Sequence, residues 1–212
     1  MDALHTILSN RDLDFTAPVY VKSGCAEVVA KLDPDPLHRQ LIENYNGLFA
    51  FHRALHVFGC TPTVSFHDIL KRNTPERWRG MYGDAVKSLR FFAEEAFGNL
   101  YAYGPTGIVF FDIESAESTV VAANFEGWTN YIANDTDYAT GRSLLEKWSA
   151  AHGPLPFGSR LCPKKLFIIG GQYEVGNLYA TDWERNLEFH AEVARQLKNL
   201  PEGTKVKIEF RE

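Results

Sequence analysis

Residues 100–123 carry three β-rich runs separated by four-residue turns, and this spacing constrains the fold more than any other feature of the chain. Leu100-Tyr101-Ala102-Tyr103 leads through Gly104-Pro105-Thr106-Gly107 into Ile108-Val109-Phe110-Phe111-Asp112-Ile113. A polar turn then leads to Ser118-Thr119-Val120-Val121-Ala122-Ala123. Turns this short join antiparallel neighbours, because a parallel crossover needs a dozen residues or more. The spacing predicts an antiparallel meander.

Helical segments stand beside this meander and do not alternate with its strands. Asn124 is placed to cap a helix on which Phe125, Trp128 and Ile132 share one face. A second helix carries Leu144, Leu145, Trp148 and Ala151 at spacings of three and four and ends at Gly153-Pro154. Upstream, Asp33-Pro34-Asp35-Pro36 reads as a turn and a helix start, with Asp35 as cap, Pro36 at the first helical position, and a stop at Asn46-Gly47. Residues 54–58 and 63–66 read as short strands around Gly59-Cys60-Thr61-Pro62. Near the end, residues 166–169 read as a buried strand broken by Gly170-Gly171, and Asp182 opens a helix with Trp183, Leu187, Ala191, Ala194 and Leu197. Residues 205–210 alternate as a strand with one wet face. Blocks of strands followed by helices predict α+β: a mainly antiparallel sheet with helices packed on it. A length of 212 residues suits a single domain. We assign it to residues 36–212. Residues 1–35, irregular apart from a short helical possibility at 26–32, form an N-terminal extension without an assigned role.

Charge narrows the choice of partner. The net charge is −5, which argues against a nucleic-acid or anionic-membrane surface. Residues 91–141 contain no Lys or Arg, while Glu94, Glu95, Asp112, Glu114, Glu117, Glu126, Asp135 and Asp137 all fall there, so the excess negative charge lies in one stretch of sequence. Tyr101, Tyr103, Trp128 and Tyr131 are interleaved with these acids. The plain reading is the wet face of a sheet and its turns; the functional one is a patch that steers a basic partner, with aromatic anchors inside a charged rim. No apolar run is long enough to span a bilayer, and the first residues lack the basic and apolar regions of a secretory signal. Three widely spaced cysteines, Cys25, Cys60 and Cys162, suit buried free thiols in a reducing compartment. The expected location is cytoplasmic, with no membrane partner.

Motifs that carry chemistry are incomplete. His52, His56 and Cys60 would share one face of a helix and offer zinc two nitrogens and a sulfur. Arg53 stands where a zinc-protease helix needs its glutamate, however, and Val57-Phe58-Gly59 favours a strand or turn. Gly171-Gln172-Tyr173-Glu174-Val175-Gly176 has phosphate-loop glycine spacing, but Asn177-Leu178 replace the required lysine and hydroxyl. There is no nucleophile elbow and no cysteine with an evident histidine partner. The sequence therefore assigns no catalytic residue, metal site or cofactor, and predicts a binding protein that is not an enzyme.

A set of short motifs in fixed order resembles a known family. The set comprises Asn46-Gly47, Glu95-Ala96-Phe97-Gly98-Asn99-Leu100-Tyr101, Asp112-Ile113-Glu114 and Asn124-Phe125-Glu126-Gly127-Trp128. Closing segments follow: Gly158-Ser159-Arg160-Leu161-Cys162-Pro163, Phe167-Ile168-Ile169-Gly170-Gly171, Gly176-Asn177-Leu178-Tyr179 and Leu200-Pro201-Glu202-Gly203-Thr204-Lys205-Val206. Over residues 37–210 this resembles the SUKH superfamily, which includes the yeast Smi/Knr cell-wall regulators and many bacterial immunity proteins. Residues 97–104 and 155–178 are also similar to the C-terminal module of type VI secretion immunity proteins with a GAD-like domain. The resemblance implies an α+β scaffold that binds a cognate toxin domain, often a nuclease or other basic enzyme, and it transfers no catalytic residues. From the charge distribution, the expected contact residues are Asp112, Glu114, Glu117, Glu126, Trp128, Tyr131, Asp135 and Asp137. Two alternatives remain: a regulatory adaptor of the Smi/Knr type, and a small metal-dependent hydrolase using His52, His56 and Cys60.

Overall fold

Side-chain caps and tight turns set the element boundaries in the computed structural model, which describes residues 3–17 and 35–198. The first helix, α1 (Ala3–Ser9), buries Ala3 and Ile7. Asp35 accepts from the Leu37 N–H and starts α2 (Pro36–Tyr45), which ends where Asn46 turns left-handed at φ 49°. Strands β1 (Leu48–Ala50) and β2 (Leu55–Val57) form a hairpin. Short helices α3 (Ile69–Asn73) and α4 (Trp78–Tyr82) precede β3 (Arg90–Glu95). The expected meander follows as β4 (Leu100–Gly104), β5 (Gly107–Asp112) and β6 (Glu117–Ala122). Asn124 accepts from the Gly127 N–H and opens α5 (Phe125–Asn134), followed by α6 (Thr136–Thr140) and α7 (Arg142–His152). A second hairpin, β7 (Ser159–Pro163) with β8 (Leu178–Asp182), leads into α8 (Trp183–Leu197), whose first N–H groups bond to Asp182.

Six strands pair in chain order, β1 to β6, each antiparallel to the next. Alternation along β3 to β5 sends neighbouring rings to opposite faces. On one face Phe92 and Tyr101 pack against Trp128 of α5, with ring centroids 5.0 and 5.6 Å away. On the other, Phe91 meets Trp78 of α4 at 5.3 Å and Phe111 meets Tyr82 at 5.1 Å. Helices thus cover both faces of a mainly antiparallel sheet, and the chain is one α+β domain.

Several local expectations are corrected. Residues 63–66 form turns closed by Thr61 O to Val64 N and Val64 O to His67 N, so they have no strand partner to seek. Residues 166–169 are not a buried strand. They hold a 3-10 turn, Phe167–Ile169, whose Phe167 and Ile168 N–H groups bond to Glu114 from 53 and 54 residues away. Ile168 is 48% exposed. The N-terminal stretch is not irregular throughout: α1 packs on α5, and Arg11 bridges to Ala50 beside β1. It also secures the β1 to β2 turn, where Phe51, His52 and Arg53 take φ of 57°, 59° and 71°. Left-handed backbone costs a non-glycine residue of order 1 kcal/mol each. Asn10 O accepts from the Phe51 N–H at 2.9 Å and the Asp12 carboxylate accepts from the Arg53 N–H at 2.8 Å. Of the cysteines, Cys162 is a buried free thiol and Cys60, also buried, is disulfide-bonded, which corrects the expectation of free thiols throughout. Cys25 and the expected elements at 26–32 and 205–210 lie outside the described residues.

Glu94 crosslinks these layers from within the core, at 1% exposure. Both of its oxygens accept from Arg72 of α3, at 2.8 and 2.7 Å, and Arg160 of β7 lies 2.7 Å away. His56 Nδ1 sits 2.9 Å from the same carboxylate, and His56 Nε2 lies 2.8 Å from His67 Nδ1. His67 Nε2 donates to Asn46 O at 2.7 Å. Arg160 and Arg72 hold Glu94 well below the usual carboxylate range against the cost of burial. Burial lowers His56, and lowers His67 from 6.5 to about 4.

Removing one partner of such a cluster leaves buried charge uncompensated. Glu94→Ala is expected to destabilise the fold by roughly 3–5 kcal/mol, read as a drop in the urea midpoint. The histidines set a pH dependence of known sign. The unfolded chain takes up protons near pH 6.5, while folded His67 resists them until about 4. The contribution of His67 is therefore full above that interval and is lost as pH drops through it, so the wild type should lose ground to a His67→Gln variant in urea titrations stepped from pH 7 to pH 4.

Candidate partner-binding cleft

The face of β5 and β6 beside α5 is left partly open, and its residues are fixed by register. Phe110 pairs with Thr119 and Asp112 with Glu117, so all four point to the same side. Tyr131 of α5, Asp137 and Tyr138 of α6, and Leu144 and Lys147 of α7 complete one wall, while Phe97 and Tyr173 form the other. The cavity so enclosed measures about 730 Å³. A second cavity, of about 420 Å³, adjoins it through shared Phe97, Asn99, Asp112, Ser115, Glu117 and Tyr173, and reaches Glu114 and His190. Together they make one cleft.

Its walls are aromatic and its charge is negative. Tyr173 stacks on Phe167 at 3.9 Å, and Phe97 meets Phe167 edge-on at 5.5 Å. Tyr138 is 80% exposed and Tyr173 68%, which leaves the Tyr138 ring and the side of Tyr173 away from Phe167 open to a partner. Glu95, Asp112, Glu117 and Asp137 line the larger cavity against one base, Lys147. Asp112 accepts from the Glu114 and Ser115 N–H groups, and Asp137 from the Ser143 N–H at 2.6 Å; the Ser143 side chain first, and this backbone bond second, lower the pKa of Asp137. Glu117 projects from an exposed position on β6.

Glu95 differs from the other acids. It is 3% exposed, and its oxygens accept from the Phe97 N–H at 3.1 Å and the Asn99 N–H at 2.9 Å. Burial nevertheless pushes its carboxyl up from 4.5 to about 8, against those bonds and the field of Arg160.

The eight expected contact residues do not form one patch. Asp112, Glu117, Tyr131 and Asp137 come together at the cleft. Glu114 is 7% exposed and spends its oxygens on the 3-10 turn at Phe167–Ile169, with His190 3.7 Å away, so it is a buried support and not a free contact. Trp128 is 0% exposed, filling the core against Phe92, and cannot touch a partner. Glu126, in the first turn of α5, and Asp135, which caps α6 through the Tyr138 N–H, are exposed but do not line the cleft. Phe97, Tyr138, Lys147 and Tyr173 were not expected there. They come from separate segments and share no spacing that would announce them.

The zinc triad is dispersed. His52 is exposed near Glu146, His56 is buried against Glu94, and Cys60 is disulfide-bonded. Among the described residues no group of three His, Cys, Asp or Glu side chains is placed to hold a metal ion. The glycine-spaced segment at 171–176 leads into a 3-10 turn, Val175–Asn177, and strand β8. Asn177 bonds to Lys165 and Gln172 and closes this loop on itself, while a Cβ at Gly171 would lie 1.9 Å from Lys165 O. No described helix is long and apolar enough to cross a membrane.

No protein-family model matches the chain, and no curated protein matches it. Among solved structures, it is similar to the crystal structure of Atu4351 from Agrobacterium tumefaciens, with a TM-score of 0.60 at 13% identity, covering 90% of this chain and 87% of that one. At that identity the likeness concerns the fold.

The environment of Glu95 makes a stability prediction. The folded protein keeps a proton there between about pH 4.5 and 8 that the unfolded chain releases, so this site's contribution is full below 4.5 and is lost as pH rises through 8. Glu95→Gln should gain on the wild type by on the order of 1.4 kcal/mol per pH unit across that interval, in urea titrations at stepped pH.

Proposed function

We propose that the protein is an immunity protein: it binds a cognate bacterial toxin domain and blocks it by surface occlusion, with the acidic, aromatic-walled cleft as its contact face. The observation that carries the reading is the cleft itself. Four carboxyl groups face a single lysine within walls of tyrosine and phenylalanine. Such a surface suits a basic protein: complementary fields speed encounter and discriminate among partners, and exposed aromatic rings supply anchoring area. The ordered motifs that resemble the SUKH set, and those similar to type VI secretion immunity proteins with a GAD-like domain, support the same reading. So does the α+β scaffold, which is the kind that resemblance implies.

An adaptor of the Smi/Knr type would use a comparable surface on several partners at lower affinity. The metal-dependent hydrolase has lost its ligand set through the dispersal of His52, His56 and Cys60. Compartment follows from the immunity reading, which places the protein in the cytoplasm with the toxin's target.

Co-expression should rescue cells from a cognate toxin domain, to be sought in the neighbouring reading frame, and a charge-reversed Glu117→Lys variant should rescue them less well. Stopped-flow association with that toxin should slow by at least tenfold between about 50 and 300 mM salt if steering dominates. Rescue without complex formation, or association indifferent to salt and to Glu117, would remove the contact face from this reading.

A further inference from the structure

We infer that the cleft receives one cationic side chain, an arginine or lysine carried on an extended segment of the partner, which ends against Glu95 and lies between the tyrosine walls. The inference rests on the reading that this face binds a basic protein, and goes beyond it in naming the chemistry of the inserted group and the residue that terminates it.

The first support is the way Glu95 is built. Its described hydrogen bonds all come from N–H donors, Phe97 and Asn99, an arrangement made for an ionised carboxylate. The charged and titratable groups that face it are Arg160 from β7, Glu94 from its own strand, Tyr101 from β4 and Tyr173 from the 164–177 loop. Arg160 is committed to Glu94 at 2.7 Å. Glu95 is thus a carboxyl group with donors arranged for its anion, and the described chain makes no ion pair with it. If it holds a proton, none of those donors can accept it. A cation arriving from the cleft completes the ionised state and displaces the proton to solvent.

The walls are the second support. Tyr131, Tyr138, Tyr173 and Phe97 surround the approach to Glu95, and aromatic faces attract guanidinium and ammonium groups, more so where water is excluded. Asp112, Glu117 and Asp137 add negative charge at the rim. Lys147, the one base there, opposes a cation and supplies a control of opposite sign.

The test uses the full chain and acetyl-Gly-Arg-Gly-amide as probe, with its citrulline counterpart as the neutral isostere, followed by calorimetry and by the ring signals of the tyrosines. The arginine peptide should bind at least about tenfold more tightly than the citrulline peptide. Glu95→Gln should lose on the order of tenfold, Glu117→Gln about threefold, and Lys147→Gln should gain about twofold. In Glu95→Gln the amide oxygen can still accept from Phe97 and Asn99, so the variant is expected to fold; its unfolding curve checks this. At pH 7 binding should release close to one proton in the wild type and none in Glu95→Gln.

Equal binding of the two peptides, no binding of either, or ring shifts confined to another face would overturn the inference. So would displacement of the arginine peptide by micromolar Mg²⁺ or Ca²⁺, which would make the occupant a metal ion. The two levels fail separately. A protein that neutralises its toxin while these variants bind it unchanged loses this inference and keeps the immunity reading; one that takes the peptide yet protects no cell does the reverse.

Discussion

A single buried carboxylate, Glu94, determines how the layers of this protein meet. Arg72 arrives from a short helix, Arg160 from the second hairpin and His56 from the neighbouring strand, and all converge on its two oxygens. Stripping water from these charges costs several kcal/mol per ion, and only a complete set of partners offsets it. The ion pairs of Glu94 with Arg72 and Arg160 in turn tie α3 and β7 to β3. Because side chains alternate along a strand, fixing Glu94 on one face of β3 presents Glu95 on the other. The acid of the cleft is therefore held in place by an acid it never touches.

This division of labour changes the meaning of the acidic stretch. Read along the chain, residues 91–141 form one block of negative charge. In space, Glu94 and Glu114 are buried and bonded to their own protein, Asp135 caps a helix, and only some of the acids border the cleft. The net field still favours a basic partner, but its focus lies in a recess, where low-dielectric walls concentrate it. A recess selects shape as well as sign, which suits the proposed recognition of one basic partner among many.

The parts of the fold legible in the sequence are those with local punctuation. Asp35-Pro36, Asn124 and Asp182 start helices by satisfying N–H groups within a few residues of themselves, and the turns of the meander specify antiparallel pairing. Long-range substitutions for local bonds were not legible. Residues 166–169 look like a strand because four apolar residues have no period, and it is Glu114, distant in sequence, that winds them into a 3-10 turn. Trp128 shows two sequence arguments in competition. Its spacing with Phe125 and Ile132 places it inward, its acidic neighbours suggest a contact anchor, and burial at 0% decides for the spacing. At the candidate cleft, charge and composition name Asp112, Glu117, Tyr131 and Asp137, whereas Tyr138 and Tyr173 depend on how separate segments converge.

The hairpin turn at Phe51, His52 and Arg53 bears on where the folding unit begins. Three successive residues wound in the mirror-image sense do not hold that shape unaided, and their fastenings, Asn10 and Asp12, come from the stretch that sequence patterning set aside as an appendage. A boundary drawn at residue 36 would cut between a coiled spring and its latch. Residues 10–12 belong with the hairpin they clasp.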